Sequence, residues 1–294
     1  MLKDLSVGWI GLGKMGRPMS QLICKAGARV FVNSRNLAAV DEMVGYGMQA
    51  VTSPRDAAKN AEVIVLTLFD AASIQAVLMG EKGIITGLRR GGLVIDMGTT
   101  DVVATREFAR LVAAVGGSYL DAPVSGGTRG AADGSLTIMV GGASADVQRA
   151  MPILSVLGDH VTHVGPVGAG QVAKAANQVI VGLTIVAVAE AFALASRAGV
   201  DLLKTREALQ GGFADSRILR EHGLRMIQEN YTPGARIAVQ RKDMSQALSL
   251  AESLGLALPM TALAAECFNT AADRGFDQLD QSAVFKLLEP GDSR

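Results

Sequence analysis

The stretch Val7-Gly8-Trp9-Ile10-Gly11-Leu12-Gly13-Lys14-Met15-Gly16 decides the fold. It starts as a short apolar strand, passes through the pattern G-x-G-x-x-G and leads into an amphipathic segment. Gly11 permits a tight turn, Gly13 lets the backbone approach a pyrophosphate, and Gly16 allows a helix to pack closely on the strand. The free N–H groups and positive dipole end of that helix favour an anion. The residues predicted to bind a dinucleotide here are Gly11, Leu12, Gly13, Lys14, Met15 and Gly16.

The alternation of strands and helices continues to about residue 165. Further apolar runs predict strands at 28–33, 63–68, 93–96, 118–122 and 136–140. Strands alternating with helices indicate βαβ units and a parallel sheet. Beyond Gly168 only helical periods remain, and the first of them covers 170–198. We therefore predict an α/β fold in which a Rossmann-type, doubly wound dinucleotide-binding domain (1–165) is joined by a long helix to an all-α substrate and oligomerisation domain (166–294).

Composition excludes several classes of protein. Lys and Arg number 28, as do Asp and Glu, so the net charge is zero and lacks the cationic excess that nucleic-acid binding requires. A hydrophobic content of 49% excludes a disordered chain. Cys24 and Cys267 match no metal or redox spacing and the three histidines form no triad, so we expect reduced thiols, a cytoplasmic protein and no metal.

The long helix predicts self-association. A helix over 170–198 would be about 43 Å long at 1.5 Å per residue. Its apolar stretch 178–195 approaches the length of a membrane span, but Glu190 and the high alanine content favour a buried helix and no membrane contact. A small domain cannot cover such a helix alone. We expect a homo-oligomer, a dimer or a tetramer, in which a second subunit covers it.

The end of the second predicted strand bears on the choice of cofactor. Its sequence, Val32-Asn33-Ser34-Arg35-Asn36, offers no carboxylate for the ribose 2′-hydroxyl of NAD. Ser34 stands at the usual acidic position beside Asn33, and the Arg35 guanidinium suits a 2′-phosphate. These residues favour NADP(H). NAD(H) stays possible, because Arg35 could instead stack on the adenine.

Four motifs in a fixed order resemble those of the β-hydroxyacid dehydrogenase family, and the resemblance extends along the whole chain. They are 11–19, 121–127 with Gly130-Ala131, 168–177, and Lys242-Asp243. The resemblance implies hydride transfer between a nicotinamide cofactor and a small carboxylate-bearing substrate. In this family the second motif holds the substrate carboxylate, the third supplies a catalytic lysine, and the fourth closes over the nicotinamide end.

Carried over residue by residue, the resemblance assigns a catalytic site. Ser125, Gly126 and Gly127 would hold the substrate carboxylate, with a hydroxyl and consecutive N–H groups suited to an anion. Lys174 would be the general acid and base. Asn177, three residues further on and on the same helix face, would orient the substrate or the lysine.

Other residues are assigned to the nicotinamide end of the cofactor. Thr99 and Lys242 match family positions beside the nicotinamide. Leu68 ends the predicted strand 63–68 and Phe69 follows it, and both are assigned to the cofactor. The chain departs from the family twice here, with Thr100 in place of the more usual isoleucine and Phe69 in place of a frequent proline.

Three segments favour one substrate within the family. Residues 176–181, 211–213 and 233–237 resemble those of tartronate semialdehyde reductases, and Gln178 and Arg236 suit a substrate with an extra hydroxyl. This implies reduction of 2-hydroxy-3-oxopropanoate to glycerate. The alternatives are a dehydrogenase for 3-hydroxyisobutyrate, threonate or another 3-hydroxy acid, a succinic semialdehyde or glyoxylate reductase, and a non-catalytic NADP(H) sensor, which the intact Lys174 and Asn177 disfavour.

Overall fold

A computed structural model describes residues 2–288 and shows two compact units, Met1–Lys174 and Ala175–Arg294. The elements of the first unit are β1 (Ser6–Ile10), α1 (Gly16–Lys25), β2 (Arg29–Asn33), α2 (Leu37–Gly45), β3 (Gln49–Ala50), α3 (Pro54–Asn60), β4 (Val63–Leu66), α4 (Ala71–Met79), β5 (Leu93–Asp96), α5 (Val102–Ala114), β6 (Ser118–Asp121), β7 (Val124–Ser125), α6 (Gly127–Asp133), β8 (Thr137–Gly141), α7 (Ser144–Leu157) and β9 (His160–Gly165). The long helix α8 (Ala169–Arg197) runs from this unit into the next. The second unit continues with α9 (Leu202–Leu209), α10 (Arg217–Ile227), α11 (Ile237–Ser253), α12 (Pro259–Ala271), a π-helical turn (Ala272–Phe276) and a 3₁₀ segment (Gln281–Leu287).

The first unit is built on one sheet with the strand order β3-β2-β1-β4-β5-β6-β8-β7, and β9 pairs with β8. Strands β1 to β6 are parallel, whereas β8 is antiparallel to β6 and β7. Every residue of β4 and β5 is buried, as expected for strands covered on both faces. The strand order reverses between β1 and β4, which opens a crevice at their carboxyl ends. The predicted doubly wound fold is confirmed.

Some elements differ from the sequence prediction. The strands β3 and β7 have two residues each, too few for a recognisable pattern. Strand β9 has no buried residue, so no apolar run marks it. Helix α11 begins at Ile237, which places Lys242 and Asp243 within its second turn.

The second unit is helical around a core that includes Phe192, Met244 and Phe268. Helix α8 alone among the described residues is long and apolar enough to cross a membrane, with a mean hydropathy of 2.2 over its most apolar window. Only 28% of that window is buried within the chain. Its exposed side carries Ile180 and Leu194, which are 65% and 74% exposed. Its length agrees with the prediction, and much of its apolar surface is left open.

Candidate active site

The glycine-rich turn after β1 is fixed by close contacts. Gly11 has a φ of +101°, which side chains other than glycine rarely adopt. A Cβ on Gly16 would overlap the Gly11 carbonyl oxygen and Thr67 Oγ1. Thr67 Oγ1 donates a hydrogen bond to that same carbonyl at 2.6 Å. The turn therefore packs helix α1 directly on the ends of β1 and β4, as the sequence predicted for Gly11 and Gly16.

The mouth of this turn fits a pyrophosphate. A Cβ on Gly13 would meet no protein atom within 4 Å, so the protein's own packing does not require glycine there. Helix α1 has no side-chain cap at Met15 and no acidic residue in its first turn. The Arg17 N–H donates to the Gly13 carbonyl at 3.2 Å and Pro18 has no N–H, so an anion would be held by the N–H groups that precede Arg17 and by the positive end of the helix. Of the other predicted residues, Lys14 is exposed and Leu12 is buried below the turn.

At the end of β2 and directly after it, Asn33 and Ser34 are hydrogen-bonded within the protein, whereas Arg35 is exposed. Asn33 Nδ2 donates to the Val51 carbonyl at 3.0 Å. Ser34 Oγ accepts the Asn36 N–H at 3.2 Å, and Asn36 in turn caps helix α2. Arg35 is exposed and has no hydrogen-bond or ion-pair partner within residues 2–288. Arg35 is thus the cation at this strand end that a phosphate can reach.

The loops after β4 and β5 lie against the glycine-rich turn. A Cβ on Gly11 would stand 3.1 Å from Leu68 Cδ2, and one on Gly98 would stand 2.7 Å from the Leu68 carbonyl oxygen. Phe69, next along the chain, is 47% exposed, and Thr99 is half-buried. The structure brings the predicted positions Leu68, Phe69 and Thr99 to the same sheet edge as Gly11.

The predicted carboxylate-binding segment forms a sharp turn between β7 and α6. Gly126 and Gly127 have φ values of +131° and +64°. Both conformations favour glycine, and the position of a Cβ on Gly127 is open space. Successive backbone N–H groups in such a turn form a concave site for an anion. Ser125, the last residue of β7, is half-buried at its entrance.

Lys174 is held beside this turn. Its side chain is only 7% exposed, and Nζ donates a hydrogen bond to the Val124 carbonyl at 2.9 Å. Val124 directly precedes Ser125, so the ammonium lies next to the predicted carboxylate-binding segment. Burial of a lysine ammonium is unfavourable in free energy because the charge loses its hydration. A buried lysine therefore indicates a specific role rather than a solvated surface charge.

In the second unit, Asn177 and Gln178 belong to a buried polar network with α11. Gln178 Nε2 donates to Gln240 Oε1 at 3.0 Å and to Asp243 Oδ2 at 2.6 Å, while Asn177 Nδ2 donates to Gln178 Oε1 at 2.8 Å. Lys242 Nζ lies 2.9 Å from Asp243 Oδ1. A carboxylate only accepts hydrogen bonds, so Asp243 fixes which end of the Gln178 amide faces it. Asn177 therefore turns its amide nitrogen to Gln178.

Two buried carboxyl groups in the first unit were not predicted to have a role. Asp96 accepts the Gly98 N–H at 2.9 Å and the Tyr119 hydroxyl at 3.1 Å, and burial raises its pKa to about 7 against the opposing effect of these bonds. Asp121 accepts the N–H groups of Gly168 and Gln171 at 2.7 and 2.9 Å. Burial raises the pKa of Asp121 as well. Their common signal in the sequence is an acid at the last position of an apolar strand.

Within residues 2–288 no three His, Cys, Asp or Glu side chains are grouped as metal ligands. The chemistry that this site offers rests on a lysine, hydroxyl and amide groups, and backbone N–H groups.

Comparison with known proteins agrees with this geometry. Residues 6–165 match the family described as the NAD binding domain of 6-phosphogluconate dehydrogenase. Residues 168–288 match the family described as NAD-binding of NADP-dependent 3-hydroxyisobutyrate dehydrogenase. Together these matches show that the chain binds a nicotinamide cofactor.

Individual relatives cover nearly the whole chain. The 2-hydroxy-3-oxopropionate reductase of Escherichia coli is 44% identical over 97% of both proteins. The 2-(hydroxymethyl)glutarate dehydrogenase of Eubacterium barkeri is 33% identical over 98% of this chain and 96% of its own length. A structure of Mycobacterium tuberculosis 3-hydroxyisobutyrate dehydrogenase with L-serine superposes with a TM-score of 0.90 at 29% identity, covering 97% of this chain and 99% of that one. The chain therefore belongs to the β-hydroxyacid dehydrogenase family and is a nicotinamide-dependent oxidoreductase of small hydroxy acids.

Proposed function

We propose that the protein reduces 2-hydroxy-3-oxopropanoate to glycerate and catalyses the reverse oxidation. The observation that carries this proposal is the position of Lys174, whose Nζ is 2.9 Å from the Val124 carbonyl, next to Ser125, Gly126 and Gly127. A proton donor thus stands beside a turn suited to a carboxylate. The 44% identity to an enzyme named for this substrate supports the choice within the family.

Each residue of the site has a task in this reaction. The Ser125 hydroxyl and the N–H groups of Gly126 and Gly127 hold the substrate carboxylate. When bound, the nicotinamide cofactor supplies hydride to the aldehyde carbon. Lys174 Nζ gives a proton to the aldehyde oxygen, and in the reverse direction it takes the proton of the hydroxyl. Lys174 is thereby the general acid and base.

Recognition of the substrate 2-hydroxyl falls to Asn177. Its Nδ2 is committed to Gln178 Oε1. Its Oδ1 has no hydrogen-bond partner within residues 2–288 and is free to accept the 2-hydroxyl proton. Gln178 is 7% exposed and bonded at both ends, so it contributes by holding the Asn177 amide in this orientation. A methyl group in place of the hydroxyl would leave an acceptor unpaired, at a cost of about 1–3 kcal/mol.

For the cofactor we propose NADP(H). The residues that would hold it are Gly11, Leu12, Gly13, Lys14, Met15, Gly16, Asn33, Ser34, Arg35, Leu68, Phe69, Thr99 and Lys242. The exposed Arg35, which lacks an acidic neighbour at the end of β2, supports a 2′-phosphate. Stacking of Arg35 on the adenine is the alternative, and under it NAD(H) would serve as well.

A kcat/KM panel tests the proposed function. The substrates are 2-hydroxy-3-oxopropanoate, 2-methyl-3-oxopropanoate, succinic semialdehyde and glyoxylate for reduction, and 3-hydroxyisobutyrate and threonate for oxidation, each with both cofactors. We expect the highest value for 2-hydroxy-3-oxopropanoate with NADPH. A higher value for the 2-methyl analogue would refute the role given to the 2-hydroxyl. Tight NADPH binding without turnover of any substrate would favour a sensor.

We also propose a homo-oligomer, a dimer or a tetramer, with the exposed side of α8 covered by a second copy. The exposed residues on this side, Ala176, Ile180, Ala187, Ala191 and Leu194, follow one another at three, four or seven positions and form one apolar stripe, beside which Glu190 is also exposed. Light scattering should give a multiple of the 30.5 kDa chain mass. A monomeric mass would contradict the proposal. The free thiols of Cys24 and Cys267 support a reducing compartment such as the cytoplasm.

A further inference from the structure

The helix that carries Lys174 is capped by a distant carboxylate. Asp121, at the end of β6, accepts the N–H group of Gly168, directly before α8, and that of Gln171 in the first turn of α8. Glycine at 141 and 170 permits this approach, because a Cβ on either would lie within 3 Å of an Asp121 carboxylate oxygen. A charged or polar group that satisfies first-turn N–H groups fixes where a helix begins. The start of α8 is therefore anchored to the sheet.

The Gln171 side chain continues this anchor to the turn after β5. Its Oε1 accepts the Thr100 N–H at 3.1 Å, and its Nε2 donates to the Gly98 carbonyl at 3.0 Å. Both bonds are buried, and Gln171 is 2% exposed. One amide thus pairs with the backbone on both sides of Thr99.

The same turn is held from its other side by Asp96. Its two oxygens accept the Gly98 N–H at 2.9 Å and the Thr100 hydroxyl at 3.3 Å. A Cβ on Gly98 would approach the Leu68 carbonyl to 2.7 Å, which leaves the turn no room to move toward β4. Residues 98–100 are therefore fixed between the sheet and the first turn of α8.

We propose that Gln171 is a positioning residue for the reaction, because it sets the distance between the Thr99 turn and Lys174. Gln171 lies one helical turn before Lys174 on α8, and its amide is hydrogen-bonded to the backbone on both sides of Thr99. This inference rests on the proposed function, in which Thr99 lies at the nicotinamide and Lys174 is the proton donor. Loss of the two Gln171 hydrogen bonds would leave Thr99 and Lys174 present but free to move apart. Misplacement of reacting groups by about 1 Å can lower a rate about a hundredfold.

The test replaces Gln171 with methionine and with glutamate. Gln171→Met keeps the length of the side chain and removes both bonds. Gln171→Glu keeps the acceptor for the Thr100 N–H but sets an oxygen against the Gly98 carbonyl. The matched control is Ser53→Ala, because Ser53 is 2% exposed and also makes two hydrogen bonds, both to Asp56 at the start of α3.

Three quantities are compared between variants whose Tm is lowered by a similar amount. They are kcat, the NADPH Kd, and the deuterium isotope effect measured with NADPH labelled at the transferred position. We expect both Gln171 variants to lower kcat at least tenfold and to raise the isotope effect, while the Kd stays within twofold. Ser53→Ala should keep the wild-type kcat and isotope effect. Wild-type values in Gln171→Met, or a loss of kcat no larger than in Ser53→Ala, would overturn the proposal.

Hydrogen exchange separates failure of this inference from failure of the proposed function, because it needs no turnover. In Gln171→Met the amides of residues 98–100 and 168–172 should exchange at least tenfold faster than in the wild type, and in Ser53→Ala they should not. Faster exchange in Gln171→Met together with an inactive wild type would support the contacts assigned to Gln171 and refute the proposed function. Unchanged exchange in these segments would refute the role of Gln171 in holding them together, whatever the substrate is.

Discussion

Replacing Asp96 with asparagine should stabilise the first unit above pH 7 and remove a pH dependence of its stability. The Asp96 side chain is fully buried at the end of β5, paired in register with Asp121 on β6. Burial raises its pKa from 3.8 to about 7, with a further contribution from the Asp121 charge, against the bonds from Gly98, Tyr119 and Thr100. Above pH 7 the folded protein therefore holds a carboxylate in a poorly solvated site.

The sign and size of the effect follow from this pKa. Between about pH 4 and 7 the folded state retains the Asp96 proton while the unfolded state has released it, so the free energy of unfolding falls as pH rises. At 1.36 kcal/mol for each pH unit, the shift from 3.8 to about 7 corresponds to about 4 kcal/mol. Asparagine stays neutral at every pH. Its oxygen can accept the Gly98 N–H, and its nitrogen can donate to the Tyr119 or Thr100 hydroxyl oxygen.

Urea unfolding at pH 5, 6, 7 and 8 measures this difference. Trp9, the single tryptophan, lies fully buried in β1 and reports unfolding of the first unit by fluorescence. The free energy of unfolding of Asp96→Asn should rise relative to that of the wild type by about 3 kcal/mol between pH 5 and pH 8, because the part of the ~4 kcal/mol that falls between pH 4 and 5 is already lost at pH 5. The pKa of Asp280, lowered to about 2 by His222 and Ser282, affects both proteins equally, and only below pH 4. Parallel curves for the two proteins across this range would refute the reasoning.

Three further substitutions test the site itself. Lys174→Met should lower kcat by about a hundredfold or more with the NADPH Kd near normal, measured beside the control Lys204→Met on α9; a wild-type kcat would refute the general acid role. Arg35→Ala should raise the KM for NADPH about tenfold or more and leave that for NADH unchanged, whereas equal effects on both cofactors would contradict the 2′-phosphate contact. Gly16→Ala should abolish NADPH binding in a titration, because the new Cβ would overlap Gly11 and Thr67, while Gly45→Ala, whose Cβ meets nothing within 4 Å, should bind normally.

The parts of the fold that the sequence predicted best are those whose constraints are local. The turn at Gly11 needs a positive φ, and no side chain fits at position 16. Both requirements can be met only by glycine, so the sequence carries glycines at a fixed spacing. The buried strand β5 reads as an apolar run of the right length. By contrast, β9 pairs with β8 and has no fully buried side chain, and Val161, which packs on the core, is only half-buried. No pattern of hydrophobic residues can mark such a strand.

Residues of the site were predicted unevenly for a similar reason. The motif placed Lys174 on a helix, but the carbonyl that accepts a hydrogen bond from its Nζ is 50 residues away in sequence. Gln178 was predicted to bind the substrate because residues 176–181 resemble those of tartronate semialdehyde reductases and its amide suits a substrate with an extra hydroxyl. The structure shows its amide bonded to Asp243, 65 residues further on, and this long-range partner is what the local sequence could not reveal.

Asp121 shows most clearly what sequence spacing leaves out. In the sequence it begins a motif that ends in the carboxylate-binding turn, and no role was predicted for its own carboxylate. In the fold its carboxylate faces the other way and caps α8 through Gly168 and Gln171. The chain then runs from Asp121 through Val124, whose carbonyl holds Lys174, into the turn at Gly126 and Gly127. A single segment thus fixes the lysine helix at its start, receives the lysine at its Nζ and presents the N–H groups for the substrate, so a shift of this segment would move all three together.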